Sequence, residues 1–153
     1  MKNQLKNLHI DKENLVIVVS PLERTRETIL PFLQEIYTAK ELTTSYQKYQ
    51  EIQKAFQKLS SELKIVEYIQ NTQNQHHFEI GKKLFVDFRI TDSICPNFQD
   101  KIMPLKEPKY TRKDHLHNDK QGETYQQRRE RNKEYLHFIN QKYATHTIIT
   151  VSH

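Results

Sequence analysis

Apolar and polar positions follow two patterns along this chain, and the clearest is an unbroken apolar run over residues 15–19, Leu-Val-Ile-Val-Val. Such a run predicts a strand that is buried on both faces, as in the interior of a parallel sheet. We expect Pro21 to occupy the first position of the following helix and Ser20 to cap it. Arg24 then lies on the first helical turn, outside the carboxyl end of the strand. Open α/β sheets bind ligands at this rim, where a guanidinium suits a phosphate group.

Helical periodicity dominates the next fifty residues. Residues 28–36 are amphipathic, and we expect a kink at Pro31. A second stripe then recurs at steps of three and four: Tyr49, Ile52, Phe56, Leu59, Leu63 and Val66. Because neither glycine nor proline interrupts it, this stripe predicts one long helix from about Glu41 to Gln70. The stripe either packs on its own domain or serves as a docking arm for another subunit.

Composition narrows the class of protein. The 153 residues suit one domain, and the hydrophobic fraction of 35% with a mean hydropathy of −0.88 indicates a thin core. The single cysteine, Cys95, excludes an internal disulfide and suits a reducing compartment. No apolar stretch is long enough to span a bilayer, and the N-terminus lacks an apolar signal core, so we expect an intracellular protein.

The net charge of +5 and the pI near 9.2 raise the possibility of nucleic-acid binding. Apart from residues 106–113 and 128–131, the basic residues are spread along the chain, and no nucleic-acid motif is present. A solvated helical face explains the arginines of residues 128–131 more simply. We therefore do not expect nucleic acid as a partner, and a basic RNA-binding module is kept as a further alternative.

Four segments, in the right order, resemble the histidine phosphatase superfamily, which includes the phosphoglycerate mutases. Residues 20–28 read Ser-Pro-Leu-Glu-Arg-Thr-Arg-Glu-Thr, like the family's Ser-Pro-Leu-x-Arg-Thr-x-x-Thr motif. Residues 87–99 resemble its Asp-Pro-Arg-Leu-Arg-Glu-Gln-x-x-Gly-Asn-Phe-Gln segment. Residues 122–124 resemble its Gly-Glu-Ser helix start, and residues 148–153 resemble its strand ending in Val-Ser-His-Gly.

This resemblance implies an α/β fold with a mostly parallel sheet flanked by helices. One phosphoglycerate mutase-like domain would cover residues 1–153, with a helical insertion over about residues 40–72. Thr124 would cap a helix that carries Arg131. We expect Leu136 and Ile139, or Phe138, on the interior side of that helix.

The resemblance also implies the residues of a site. Arg24 and His153 would bind phosphate, and Asp92 with His153 would be what remains of the catalytic set. Family members of this type need no metal, and we expect neither a metal nor a cofactor here. His76-His77 and His115-Leu116-His117 have spacings that could bind a metal, but their polar surroundings favour exposed loop histidines.

Departures from the family pattern argue against unaided catalysis. The family's nucleophilic histidine belongs to an Arg-His-Gly motif upstream of the Ser-Pro-Leu segment, and His9, the one histidine there, lacks both neighbours of that motif. The family's acid/base glutamate is replaced by Asp92, whose carboxyl group lies about one methylene further back. Pro96 replaces a glycine. Without its nucleophile, the covalent reaction has no first step.

Absence of the Arg-His-Gly strand would leave the Leu15–Val19 strand with an unpaired edge. We therefore expect a protein partner, either completing the sheet beside Leu15–Val19 or docking on the Tyr49–Val66 stripe. A missing piece of the same gene product could also fill the gap, or a rearranged sheet could close it. The leading hypothesis is a degenerate, non-catalytic histidine phosphatase-like protein that serves as a structural or interaction subunit of a larger assembly. The main alternative is a phosphomonoesterase whose nucleophilic histidine lies outside this chain.

Overall fold

A computed structural model describes residues 10–92, 94 and 123–152. Over these residues the chain forms four strands and four α-helices, as follows. The strands are β1 (Leu15–Val19), β2 (His77–Gly81), β3 (Leu84–Asp87) and β4 (Thr147–Val151). The helices are α1 (Glu23–Ile36), α2 (Ala39–Ser61), α3 (Ile65–Gln70) and α4 (Tyr125–Lys142). Two 3₁₀ turns, Lys12–Asn14 and Phe88–Ile90, precede β1 and follow β3.

The strands form one mixed, mostly parallel sheet in the order β2-β3-β1-β4. Strand β1 pairs in parallel with β3 on one side and with β4 on the other, whereas β2 and β3 form an antiparallel hairpin. The sequence predicts the buried strand β1 correctly, and all five of its residues are buried. The predicted open edge beside Leu15–Val19 is wrong, because β3 and β4 occupy both sides of β1. No partner is needed at that position.

Helices cover both faces of the sheet, as an α/β fold requires. On one face, Ile17 of β1 packs in a cluster with Ile29 of α1 and Tyr49 of α2. On the other face, Val16 and Val18 pack in a cluster with residues of α4. Because successive side chains of a strand point to opposite faces, a strand covered in this way must be apolar throughout.

The predicted long helix is divided into α2 and α3. Helix α2 ends at Ser61, and Leu63 adopts a left-handed conformation with φ of 57°. The N–H of Lys64 donates to the carbonyl of Leu59, and the N–H of Leu63 donates to the carbonyl of Ser60. This pair of bonds is the Schellman motif, which ends a helix and usually has glycine where Leu63 lies. Periodicity could not reveal the break because Leu63 continues the apolar spacing.

The apolar stripe of α2 packs on its own domain. Tyr49 and Phe56 are fully buried, Tyr49 beneath the sheet and Phe56 against Phe88. Ile65 and Ile69 of α3 complete the cluster around Phe56. The docking-arm interpretation of the Tyr49–Val66 stripe is therefore wrong, since its central side chains are already covered.

Helix α4 begins as the sequence predicts and buries a different face. Thr124 accepts a hydrogen bond from the N–H of Gln127, whose side chain accepts one from the N–H of Thr124, which is a complete capping box. Ile139 is buried as expected, but Tyr135 is its buried companion, and Leu136 is 55% exposed. Among the helices of the described segments, none is long and apolar enough to cross a membrane.

Candidate functional site

The candidate site lies where the parallel strands end. Strands β1, β3 and β4 run in the same direction, so the segments that follow them meet at one edge of the sheet. The N–H of Ser20, directly after β1, donates to the carbonyl of Val151 in β4 over 3.1 Å. The 3₁₀ turn Phe88–Ile90 and the loop containing Asp92 follow β3. This carboxyl edge is where open α/β sheets place their ligand sites.

Arg24 is positioned by the start of α1, although not by the expected cap. Helix α1 begins at Glu23, and its N-cap residue Leu22 provides no side-chain hydrogen bond. Ser20 instead hydrogen-bonds through its hydroxyl to Thr25 over 2.7 Å and accepts a longer bond, 3.4 Å, from the N–H of Leu22. We expected Pro21 at the first helical position with Ser20 as its cap. This expectation is wrong, because the helix begins two residues later, at Glu23. Arg24 nevertheless lies in the first turn, as the sequence predicts.

Arg24 and Asp92, two of the residues that the resemblance assigns to a site, are in direct contact. A guanidinium nitrogen of Arg24 (Nη2) donates to Oδ2 of Asp92 over 2.8 Å, and the two side chains are 54% and 42% exposed. Nη2 of Arg128 lies 4.0 Å from the other carboxylate oxygen of Asp92. The Asp92 carboxylate thus lies between two guanidinium groups that come from α1 and α4. We call these three side chains the arginine pair with its carboxylate.

A second, buried arginine holds the backbone on which Asp92 lies. Arg131 of α4 donates to the carbonyl of Arg89 and, over 3.1 Å, to the carbonyl of Asp92. Its guanidinium is ion-paired with Glu123, with one hydrogen bond of 2.9 Å. Both side chains are only 3% exposed. A buried charge-assisted network of this kind fixes geometry strongly, so Arg131 and Glu123 position the Asp92 loop.

Beneath the site, β2 and β3 carry another buried network. The carboxylate of Asp87 accepts two hydrogen bonds from the Arg89 side chain, 3.0 and 2.7 Å long, and one from its backbone N–H. Nδ1 of His77 lies 3.0 Å from Asp87, and Nε2 of His77 lies 2.9 Å from the Tyr143 hydroxyl. Burial by itself would raise the pKa of Asp87, but the hydrogen bonds from His77 and Arg89 outweigh it and lower that pKa.

The expectation of exposed loop histidines at positions 76 and 77 is wrong. His77 lies in β2 with its side chain inside the Asp87 network, and His76 is also buried. Burial is the main cause that lowers the pKa of His76. His115 and His117 lie outside the described residues, and the residues that are described contain no group of histidine, cysteine and carboxylate side chains suited to a metal.

Other predicted positions cannot be placed. His153, Cys95 and Pro96 lie outside the described residues. Arg128 is the residue at this site that sequence reasoning missed, since it was assigned to a solvated helical face. Its spacing of three from Arg131 puts the two arginines on neighbouring positions of one helix face, and that spacing was the available signal.

Comparison with protein-family models, with curated proteins and with solved structures finds no match for this chain.

Proposed function

We propose that this protein is a non-catalytic, histidine phosphatase-like subunit that binds a phosphate group at the arginine pair. The observation that carries the proposal is the contact of Arg24 with Asp92 beside Arg128 at the carboxyl edge of the sheet. Two guanidinium groups that share one carboxylate are also arranged to share the oxygens of one phosphate, because each guanidinium offers several donors in a fixed plane.

In the free protein, Asp92 takes the place of that anion. A phosphate that binds to Arg24 must displace or share the Asp92 carboxylate, since both use the same donor. The pair is about half exposed, so exchange of one anion for another costs little in solvation. Reversible, salt-dependent binding of a phosphate or phosphate ester follows from this arrangement.

Binding without phosphoryl transfer is supported by the positions of the described histidines. His77 is engaged by Asp87 and Tyr143, and His76 by the carbonyl of Asn71. Both ring nitrogens of His77 and Nε2 of His76 therefore already have partners within the fold. Arginines alone can stabilise charge on a phosphate, but the covalent route also needs an attacking group.

A second candidate function is a phosphomonoesterase whose nucleophile lies outside this chain, and the geometry of β4 favours it as the alternative. In the described part of the chain, β4 pairs with β1 on one side and with no strand on the other. A parallel strand added there would end at the same edge as Arg24. Such a strand could bring a histidine to the arginine pair.

Incubation of the full chain with p-nitrophenyl phosphate tests the choice. We expect the full chain to release no more nitrophenol than an Arg24→Gln variant does. We also expect this ester and inorganic phosphate to compete for binding at the arginine pair. Turnover that is lost in Arg24→Gln would contradict the non-catalytic function and support the second candidate.

A further inference from the structure

Strand β4 lacks the features that prevent natural edge strands from pairing with strands of other chains. Its sequence, Thr-Ile-Ile-Thr-Val, has no charge and no proline, and its five residues pair with β1 in regular register. Thr147 and Thr150 are exposed. Edge strands usually carry a lysine, a proline or a bulge because an unprotected row of N–H and C=O groups accepts another strand. No strand among the described residues pairs with the outer edge of β4.

Helix α4 has one exposed leucine, Leu136, on the side of the helix that is nearer to this edge. The Tyr135 hydroxyl hydrogen-bonds to Thr150 of β4 over 2.6 Å, whereas the ring of Phe138 lies 5.0 Å from that of His77, on the opposite edge of the sheet. Leu136 is turned by about 100° from Tyr135 and about 160° from Phe138 around the helix. It therefore lies on the β4 side of α4, and its 55% exposure leaves it available for contact.

Other segments of this chain do not offer a suitable strand. Residues 1–9 and 95–122 contain no run of five apolar or β-branched residues comparable to β4. A second copy of β4 is suitable, because antiparallel pairing centred on Ile149 sets Ile148 opposite Thr150 and Thr147 opposite Val151. All of these pairs join β-branched side chains, which stabilise cross-strand contacts, and none brings like charges together.

We propose that β4 pairs antiparallel with β4 of a second copy, joining two four-stranded sheets into one. A two-fold axis normal to the sheet at Ile149 puts both α4 helices on the same face, with the two Leu136 side chains facing each other near the axis. The contact is isologous and closed, so it ends at a dimer. It does not depend on phosphate binding at the arginine pair.

Sedimentation equilibrium of the full chain tests the dimer. We expect a mass that approaches twice 18.5 kDa as concentration rises. Thr147→Lys and Leu136→Lys should each weaken dimerisation at least about tenfold, because the first puts a charge opposite Val151 of the second copy and the second brings two like charges together near the axis. Thr43→Lys and Leu63→Lys, the same changes at exposed positions of α2 and of the α2–α3 turn, are the matched controls and should leave the dimer intact. A chain that stays monomeric at every concentration overturns the proposal, as does a dimer that both β4-side variants leave unchanged.

Cross-linking provides a readout that does not require a folded lysine variant. In a Cys95→Ser background, Ile149→Cys puts one thiol on each side of the axis, where directly opposed Cβ atoms lie about 4.5–5.5 Å apart. A short thiol-reactive cross-linker should join two chains through position 149 and should not join them through Thr43→Cys. Equal cross-linking of both variants, or none at position 149, overturns the antiparallel register.

Discussion

Arg24 and Asp92 lie 68 positions apart in the sequence, and their side chains meet at 2.8 Å where the parallel strands end. The contact joins the first turn of α1 to the loop after β3. It gives the carboxyl edge of the sheet a cation whose present counter-ion belongs to the protein itself. The phosphate binding that we propose at this edge would therefore compete with Asp92.

Replacement of Asp92 by asparagine should tighten phosphate binding. Asp92→Asn keeps the backbone carbonyl that Arg131 binds but removes the competing charge. Exposed ion pairs are worth up to about 1 kcal/mol, so the Kd for inorganic phosphate should fall by up to about fivefold at low salt. Calorimetric titration measures the change. Glu62→Gln, which removes an equal charge from the surface pair with Lys64, is the matched control and should leave the Kd unchanged. Weaker binding by Asp92→Asn would show that the carboxylate assists the anion.

Glycine at position 63 should stabilise the protein. Leu63 has φ of 57°, a conformation that costs a residue with a Cβ about 1–2 kcal/mol. Part of the gain is offset by the greater freedom of glycine in the unfolded chain, so Leu63→Gly should raise the free energy of unfolding by about 0.5–1 kcal/mol. Leu63→Ala keeps the Cβ and should bring no gain. Urea unfolding of both variants decides the matter, and equal stability of the two would show that backbone strain is not relieved.

The hydroxyl of Tyr49 should be dispensable. Tyr49 is fully buried, burial raises the pKa of its phenol, and its hydroxyl has no hydrogen-bond partner within the described segments. Because a buried unpaired polar group costs about 1–3 kcal/mol, Tyr49→Phe should match or exceed the thermal stability of the parent. Tyr135→Phe is the contrasting variant, since its hydroxyl bonds to Thr150 and its loss should cost about 1 kcal/mol. Loss of stability in Tyr49→Phe similar to that in Tyr135→Phe would be inconsistent with an unpaired hydroxyl.

Asp87 should control the acid stability of the fold. Its pKa is lowered in the folded state because the hydrogen bonds from His77 and Arg89 outweigh the effect of burial. The folded state therefore binds fewer protons than the unfolded state, and the stabilisation is present above the unfolded value of about 3.9. It is lost as the pH falls through the lower, folded pKa.

Asp87→Asn tests this assignment directly. It should lower the free energy of unfolding at neutral pH by about 3–5 kcal/mol, because the buried Arg89 loses its counter-ion. It should also flatten the decline of stability below about pH 4. Urea unfolding across pH measures both effects. Glu130→Gln, which breaks an exposed pair with Lys133, serves as the control and should cost less than about 1 kcal/mol. An unchanged acid profile in Asp87→Asn would assign the pH dependence to other groups.

Local sequence signals predicted those parts of the fold that depend on local chemistry. The sequence predicted the strand β1 and the Thr124 cap of α4, because buried strands and helix caps require particular residue types at fixed spacings. The end of α2 could not be predicted in this way, because its Schellman motif has Leu63 at the position where glycine is expected. Strand order also has no local signature, and for that reason an unpaired edge was expected at β1, whereas among the described strands β1 is interior and β4 is at the edge of the sheet.

The positions of two residues of the candidate site could be anticipated for the same reasons. Arg24 follows a readable strand, and the resemblance of residues 87–99 pointed to Asp92. The buried network around Asp87 was harder to predict. His77 lies in β2, and the polar sequence of this strand does not identify it as a strand. The orientation of His77 also depends on a hydrogen bond with Tyr143, which lies 66 positions away in the sequence. Contacts of such long range are set by tertiary packing, which a single sequence does not encode in any spacing.

Calorimetric titration of inorganic phosphate into the parent chain and into Arg24→Gln at low salt is the decisive test of phosphate binding at the arginine pair. We expect measurable binding by the parent that weakens as salt is added and is lost in Arg24→Gln, while Arg26→Gln, on the same helix, binds as the parent does. Absence of binding to the parent, or equal binding by Arg24→Gln, would contradict it.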